Sequence, residues 1–172
     1  VLCGMIAPEA SGWFRHSYTT PEALLGLKMS TSGLGSKVLN KLGVETYKLQ
    51  DEDIFLALEN GEIDGAEFSM PAIDLKLGFH HLAGHYYFPG WHQPSSFFEL
   101  IINKNRWDAL TVNEQAQFEA VCGDNIRYGL AEGEALQYDA LKKLTAKGVK
   151  IKRWPATILS ALENAWKDVA IE

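Results

Sequence analysis

The residues of this sequence whose types and spacing suit chemistry are two carboxylates, a run of histidines, a glycine loop and an aromatic loop. Glu9 and Glu67 each stand among apolar or small neighbours. A carboxylate in such a setting is a solvated strand end or a ligand group, and the position of Glu67 at the end of a strand-like run favours the second. Ligands of parallel sheets bind outside the carboxyl ends of the strands. His80, His81, His85 and His92 lie close in sequence, and His81 and His85 have the i, i+4 spacing of zinc ligands on one helix face. The glutamate of H-E-x-x-H is missing and no third ligand has characteristic spacing, so ordinary surface or interface histidines are the favoured reading.

Gly33-Leu34-Gly35-Ser36-Lys37 precedes a helical run. It is a tight turn or an anion-facing helix start; its spacing fits neither a P-loop nor a dinucleotide fingerprint. Pro89-Gly90-Trp91-His92-Gln93-Pro94 follows a strand and offers an aromatic plate and two hydrogen-bonding side chains. It reads equally as a binding loop or as a buried turn plugged by Trp91. Arg15 is a candidate partner for a substrate carboxylate, although a surface arginine is the commoner outcome. There is no G-x-S-x-G, and neither Cys3 nor Cys122 has a nucleophile signature around it.

These residues are carried by elements with readable starts and stops. The first 20 residues read as irregular, and Thr20-Pro21 opens a short helix closed by Gly26. A strand over 27–29, a helix over 36–42, a strand over 44–49, a helix over 51–60 and a strand over 63–68 follow. That order makes a βαβαβ unit with a parallel sheet. Pro71 starts a helix closed by Gly78, and residues 86–89 form an aromatic strand. Residues 97–102 form an apolar strand that reads as central, and a short helix covers 105–110. Thr111-x-x-Glu114 is a capping box opening a helix that keeps its period to Gly148, about 50 Å long. A strand over 149–154 and a helix over 158–169 close the chain. A helix of that length bridges lobes or packs on a partner.

The 172 residues are 47% hydrophobic and 22% charged, enough apolar content for a folded core and too much for a disordered chain. The net charge of −6, with no basic cluster, argues against nucleic acid as a partner. No apolar run approaches the ~20 residues of a membrane span. Two cysteines allow one disulfide, Cys3–Cys122, in an oxidising compartment.

An ordered set of short motifs then adds a resemblance. Gly12-Trp13-Phe14-Arg15, Leu27-Lys28-Met29, Gly33-Leu34-Gly35, Lys41-Leu42-Gly43-Val44, Gly61-Glu62-Ile63-Asp64-Gly65-Ala66-Glu67 and Tyr86-Tyr87-Phe88-Pro89-Gly90-Trp91-His92 occur in one order along the chain. Together they resemble the extracytoplasmic solute receptors of TRAP transporters, the DctP-like family, in the branch whose members bind 2-oxo acids with sodium. The resemblance is to the second part of such a receptor. It implies an α/β periplasmic-binding-protein-like lobe with a parallel-rich mixed sheet and a long bridging helix. Residues 1–172 would be the second lobe plus the C-terminal segments that return to a first lobe.

The resemblance also implies roles. Glu9 stands where the family has a glutamine, Glu67 matches its glutamate and Phe68 replaces its tryptophan; together these would hold a cation. The added charge of Glu9 favours calcium over sodium. Ser30 stands where the family has an arginine that pairs with the ligand carboxylate, and a lost charge-assisted bond costs about 1.5–3 kcal/mol. Lys28 and Arg15 are the candidate replacements, and Trp91, His92 and Gln93 would line the pocket. The implied function is capture of a small organic acid in the periplasm for a TRAP membrane permease, with no catalytic cofactor. A homodimer is one way to cover the surface of an absent lobe. The competing readings are a metal-dependent enzyme using Glu9 and Glu67, and a ligand-sensing domain of a signalling protein.

Overall fold

The computed structural model describes residues Val1–Glu172. In chain order the strands are β1 (Leu2–Ile6), β2 (Gly12–Phe14), β3 (Lys28–Ser30), β4 (Glu45–Tyr47), β5 (Gly65–Ala66), β6 (His85–Phe88), β7 (Ser96–Glu99) and β8 (Lys150–Arg153). The helices are α1 (Gly33–Lys41), α2 (Asp51–Asn60), α3 (Pro71–Leu77), α4 (Lys104–Asp108), α5 (Val112–Ala146) and α6 (Ala156–Ile171).

The βαβαβ unit forms as the periodicity predicts. Parallel β4, β3 and β5 lie side by side, joined by α1 and α2. The helices stop where glycine takes a left-handed conformation that side chains resist: Gly61 ends α2 at φ 74° and Gly78 ends α3 at φ 82°. The residues from 1 to 20 do not stay irregular, as the sequence suggests. They form β1 and β2, and β2 inserts antiparallel between β5 and β6. The six-stranded sheet therefore runs β4-β3-β5-β2-β6-β8, parallel at both ends and antiparallel at its centre.

Side-chain alternation on β2 and β6 splits the core into two layers. Phe14 and Tyr87 face α1 and α6, where Leu24, Val38, Trp154 and Ile158 complete one buried cluster. Trp13 and Tyr86 face the other side, where Ile54, Leu58, Phe79 and Leu144 complete the second. Each fully buried large side chain contributes about 1.5–3 kcal/mol.

The strand expected to be central lies elsewhere. Ser96–Glu99 pairs only with β1, in a separate two-stranded antiparallel ribbon. Phe97 and Phe98 are 60% and 54% exposed. A continuous apolar run reads as a strand buried on both faces, but here the ribbon is packed on one side alone. That side is α5. Asn125 donates to the Cys3 carbonyl at 2.6 Å, and Cys3 and Cys122 are joined as a disulfide. The capping box forms as expected: the Glu114 amide donates to the Thr111 hydroxyl, and the Thr111 amide donates to the Glu114 carboxylate at 2.7 Å. Of the 35 residues of α5 only Cys122, Ala140 and Leu144 are buried.

The disulfide closes a separation of 119 residues and ties the ribbon to α5. Cys3→Ser should therefore destabilise the protein by about 2–4 kcal/mol. At about 2–4 °C per kcal/mol for a chain this size, Tm should fall by about 4–16 °C. Thermal melts of the variant and of dithiothreitol-treated protein check this; unchanged melts would show that the ribbon does not unfold with the rest.

Candidate functional site

The direction of β2 builds the site. Because β2 is antiparallel to both neighbours, the residues preceding it lie beside the carboxyl ends of β5 and β6. Glu9 precedes β2, Glu67 follows β5, and His92 and Gln93 follow β6. Backbone bonds stitch the three segments: the Ala10 amide donates to the Ser69 carbonyl at 3.1 Å and the Glu9 amide to the Gln93 carbonyl at 3.4 Å. The approach requires glycine. A Cβ on Gly90 would collide with the Glu9 carbonyl, and one on Gly12, whose φ is +131°, would come within 2.6 Å of the Ala66 carbonyl.

Glu9, Glu67 and His92 each bring one ligand atom within 4.8 Å of the others. His92 Nε2 is 3.6 Å from Glu67 Oε1, buried, and without a hydrogen-bond partner. On the other side Glu67 accepts from the Thr31 hydroxyl at 3.4 Å, and Gln93 donates to Glu9 at 3.2 Å. Burial pushes the Glu9 carboxyl up, and the charge of Glu67 adds to the rise, while His92 opposes it. Two half-buried carboxylates that repel each other fit a bound cation, which would neutralise the pair. Carboxylate oxygens suit hard ions such as calcium.

The other sequence candidates separate. Ser30, at the end of β3, and Phe68 line a cavity of about 460 Å³ next to Glu67. Trp91 packs instead against the α6 side of the core. Arg15 does not reach the cavity. It follows β2 at the opposite end of the sheet, where its amide donates to the Asp64 carbonyl and its Nε donates to the Ile63 carbonyl at 3.4 Å. Strand direction excludes it, because Glu9 and Arg15 flank a short strand at its two ends. Lys28 likewise sits at the amino end of β3, exposed, its amide donating to Asp64. The histidines do not form a shared helix face. His80 and His81 are in a 3-10 turn and His85 begins β6, so only His92 joins the carboxylates.

Asp74 escaped the sequence reading. It is fully buried on α3, and one oxygen accepts from Trp13 Nε1 at 2.8 Å and the Tyr86 hydroxyl at 2.7 Å; the other has no partner. Trp13 and Tyr86 are stacked with centroids 4.0 Å apart, so the carboxyl locks the floor beneath the site. Its only sequence signal is an aspartate on an apolar helical stretch.

Residues 9–172 match the family described as bacterial extracellular solute-binding protein, family 7, DctP. The chain is 34% identical over 178 residues to a monocarboxylate 2-oxoacid-binding periplasmic protein of Nostoc sp. PCC 7120, covering 98% of this chain and 49% of that protein. A TRAP transporter solute-binding protein of Bordetella bronchiseptica RB50, crystallised as a dimer with copurified calcium and picolinate, is 37% identical at a TM-score of 0.81, with 98% of this chain and 50% of that one covered. A TRAP periplasmic solute-binding protein of Pseudoalteromonas atlantica T6c, with sodium and pyruvate, is 28% identical at a TM-score of 0.80, with 99% and 52% covered. The chain thus spans about half the length of these relatives.

Burial, with Glu67 and Glu9 adding to it, lifts the Asp74 carboxyl to about 7 against the lowering effect of its two hydrogen bonds. An unfolded aspartate titrates near ~3.9. Between these values the folded chain keeps a proton that the unfolded chain has lost, so stability falls as pH rises through that window. In chelator-containing buffer Tm should drop from pH 5 to pH 7.5, and Asp74→Asn should flatten that slope. Parallel slopes for the two proteins would show that Asp74 does not carry the effect.

Proposed function

The chain belongs to the DctP family of bacterial extracellular solute-binding proteins, and from that premise we propose that it is the ligand-holding second lobe of a TRAP-type receptor. In this reading it captures a small organic acid together with a cation in the periplasm and presents both to a membrane permease. The observation that carries the reading is the Glu9–Glu67–His92 cluster at the rim of a polar cavity, at the carboxyl ends of the sheet strands.

Each residue then has a physical task. Glu9 and Glu67 hold the cation, Glu67 being oriented by Thr31 and Glu9 by Gln93. The backbone carbonyl of Phe68 is the third oxygen of the resemblance, and the Phe68 ring is anchored on Phe79 with centroids 5.5 Å apart. The bound ion supplies positive charge for the ligand's carboxylate and keto oxygens. Two carboxylates make a site better matched to calcium than to sodium, since affinity for hard ions rises with ligand charge. No bond is made or broken: the ligand is released unchanged after the lobes reopen. The enzyme reading of Glu9 and Glu67 gains no support from the family.

The surface that a first lobe would cover comprises β1, β7 and the amino-terminal half of α5. Their exposed apolar residues, among them Phe97, Phe98, Val121 and Tyr128, support that assignment. A homodimer using the same surface is the competing way to cover it.

Calorimetric titration of chelator-treated protein with pyruvate, in calcium, sodium and potassium buffers, tests the reading. Saturable binding is expected in calcium and weaker binding in sodium. Glu67→Gln should abolish it, and Glu9→Gln should weaken calcium affinity at least about tenfold. Calcium affinity should also fall from pH 7 to pH 5, because the raised Glu9 carboxyl takes up a proton that competes with the ion. Equal affinity in sodium would overturn the calcium assignment. Product detected by NMR in the same mixture would revive the enzyme reading, and silence with every ion would overturn the receptor reading for this chain.

A further inference from the structure

The cavity beside the cation cluster contains a charge that the proposed function does not use. Lys48 is the one basic side chain that lines it, together with Ser30, Thr31, Gln50, Asp51 and Glu67. Lys48 takes part in none of the ion pairs of the protein, neither with Asp51 nor with Glu67. Its place follows from strand register. Tyr47, Ser30 and Ala66 lie in line across β4, β3 and β5, so Lys48, Thr31 and Glu67 form the next row, at the carboxyl ends where ligands of parallel sheets bind. That row is held by the Thr31 amide donating to the Tyr47 carbonyl at 3.1 Å and the Glu67 amide donating to the Ser30 carbonyl at 3.0 Å.

The row also sets a length. Adjacent strands are about 4.8 Å apart, so the Lys48 and Glu67 backbones are separated by roughly 10 Å. Glu9 lies farther still from Lys48, because it precedes β2, on the other side of β5. From the cation, an acid with a second carboxylate at its far end extends toward Lys48. Between the two ends is Ser30, 3% exposed, with a hydroxyl that makes no hydrogen bond and borders the cavity. The cavity of about 460 Å³ falls within the size of ordinary small-molecule pockets.

We propose that Lys48 is the distal anchor of this site, selecting a 2-oxo acid that carries a second carboxylate at its far end. The cation held by Glu9 and Glu67 takes the carboxylate-keto end, the Ser30 hydroxyl lies along the way, and the Lys48 ammonium takes the distal carboxylate. The inference rests on the receptor reading above and adds to it the length and charge of the ligand.

The test compares pyruvate with 2-oxoglutarate as probes, by calorimetry in calcium buffer, on the unaltered chain, Lys48→Gln and Lys48→Arg. The expected result is tighter binding of 2-oxoglutarate, lost by about tenfold or more in Lys48→Gln. Lys48→Arg should largely restore it, and pyruvate affinity should be the same in all three proteins. Circular dichroism melts confirm that the variants fold, as expected for an exposed position after a strand. Equal losses for both acids, or 2-oxoglutarate binding that ignores Lys48→Gln, would overturn the anchor while leaving the receptor reading intact. Failure of the unaltered chain to bind either acid would overturn both.

Discussion

β2 runs antiparallel to the strands on either side of it, and its seating requires backbone to pass close to backbone. The Gly12 position cannot take a Cβ against Ala66, nor the Gly90 position one against the Glu9 carbonyl. With those glycines in place, the amino end of β2 meets the carboxyl ends of β5 and β6, and Glu9, Glu67, His92 and Gln93 converge. With β2 reversed, Glu9 and Arg15 would exchange ends and the acidic pair would not exist. The same strand sends Trp13 into one core layer and Phe14 into the other, so the site and the core share one support.

Charge accumulates around that support. Glu9 and Glu67 are drawn together half-buried, and Asp74 lies beneath them among aromatic rings, its carboxyl raised by burial and by both glutamates. Three acids in so small a volume destabilise one another at neutral pH unless one keeps its proton or a cation enters. An ion that bound only the folded chain would add to its stability, because such binding shifts the folding equilibrium. Such an ion would be linked to the proton on Asp74 through space, since both glutamates raise that carboxyl.

The opposite half of the molecule is governed by apolar surface. The ribbon of β1 and β7 and the first turns of α5 are tied together by the Cys3–Cys122 bridge, and Phe97, Phe98 and Val121 remain open to solvent. Such a patch is characteristic of a surface made to be covered. The polar cavity and the apolar patch thus belong to different ends of the chain's architecture.

Much of this was legible in the residues themselves. The βαβαβ order, the glycine stops of α2 and α3, the capping box of α5 and the strand-end position of Glu67 follow from local spacing, because each is set by interactions within a few residues. β2 has three residues and β5 two, too few for a period to show, so β2 was invisible in a stretch punctuated by glycine and proline. The apolar run over Ser96–Glu99 reads as central because side-chain type reports a preference for burial and not the partner that provides it. Arg15 is a candidate only while strand direction is unknown, and nothing in the local pattern singles out Lys48 or Asp74. Which carboxylates meet, which lysine faces the cavity and which acid lies beneath are decided by strand order and direction. Those depend on contacts between residues far apart in sequence, such as Trp13 with Asp74 and Glu9 with Gln93, and only the folded sheet brings them together.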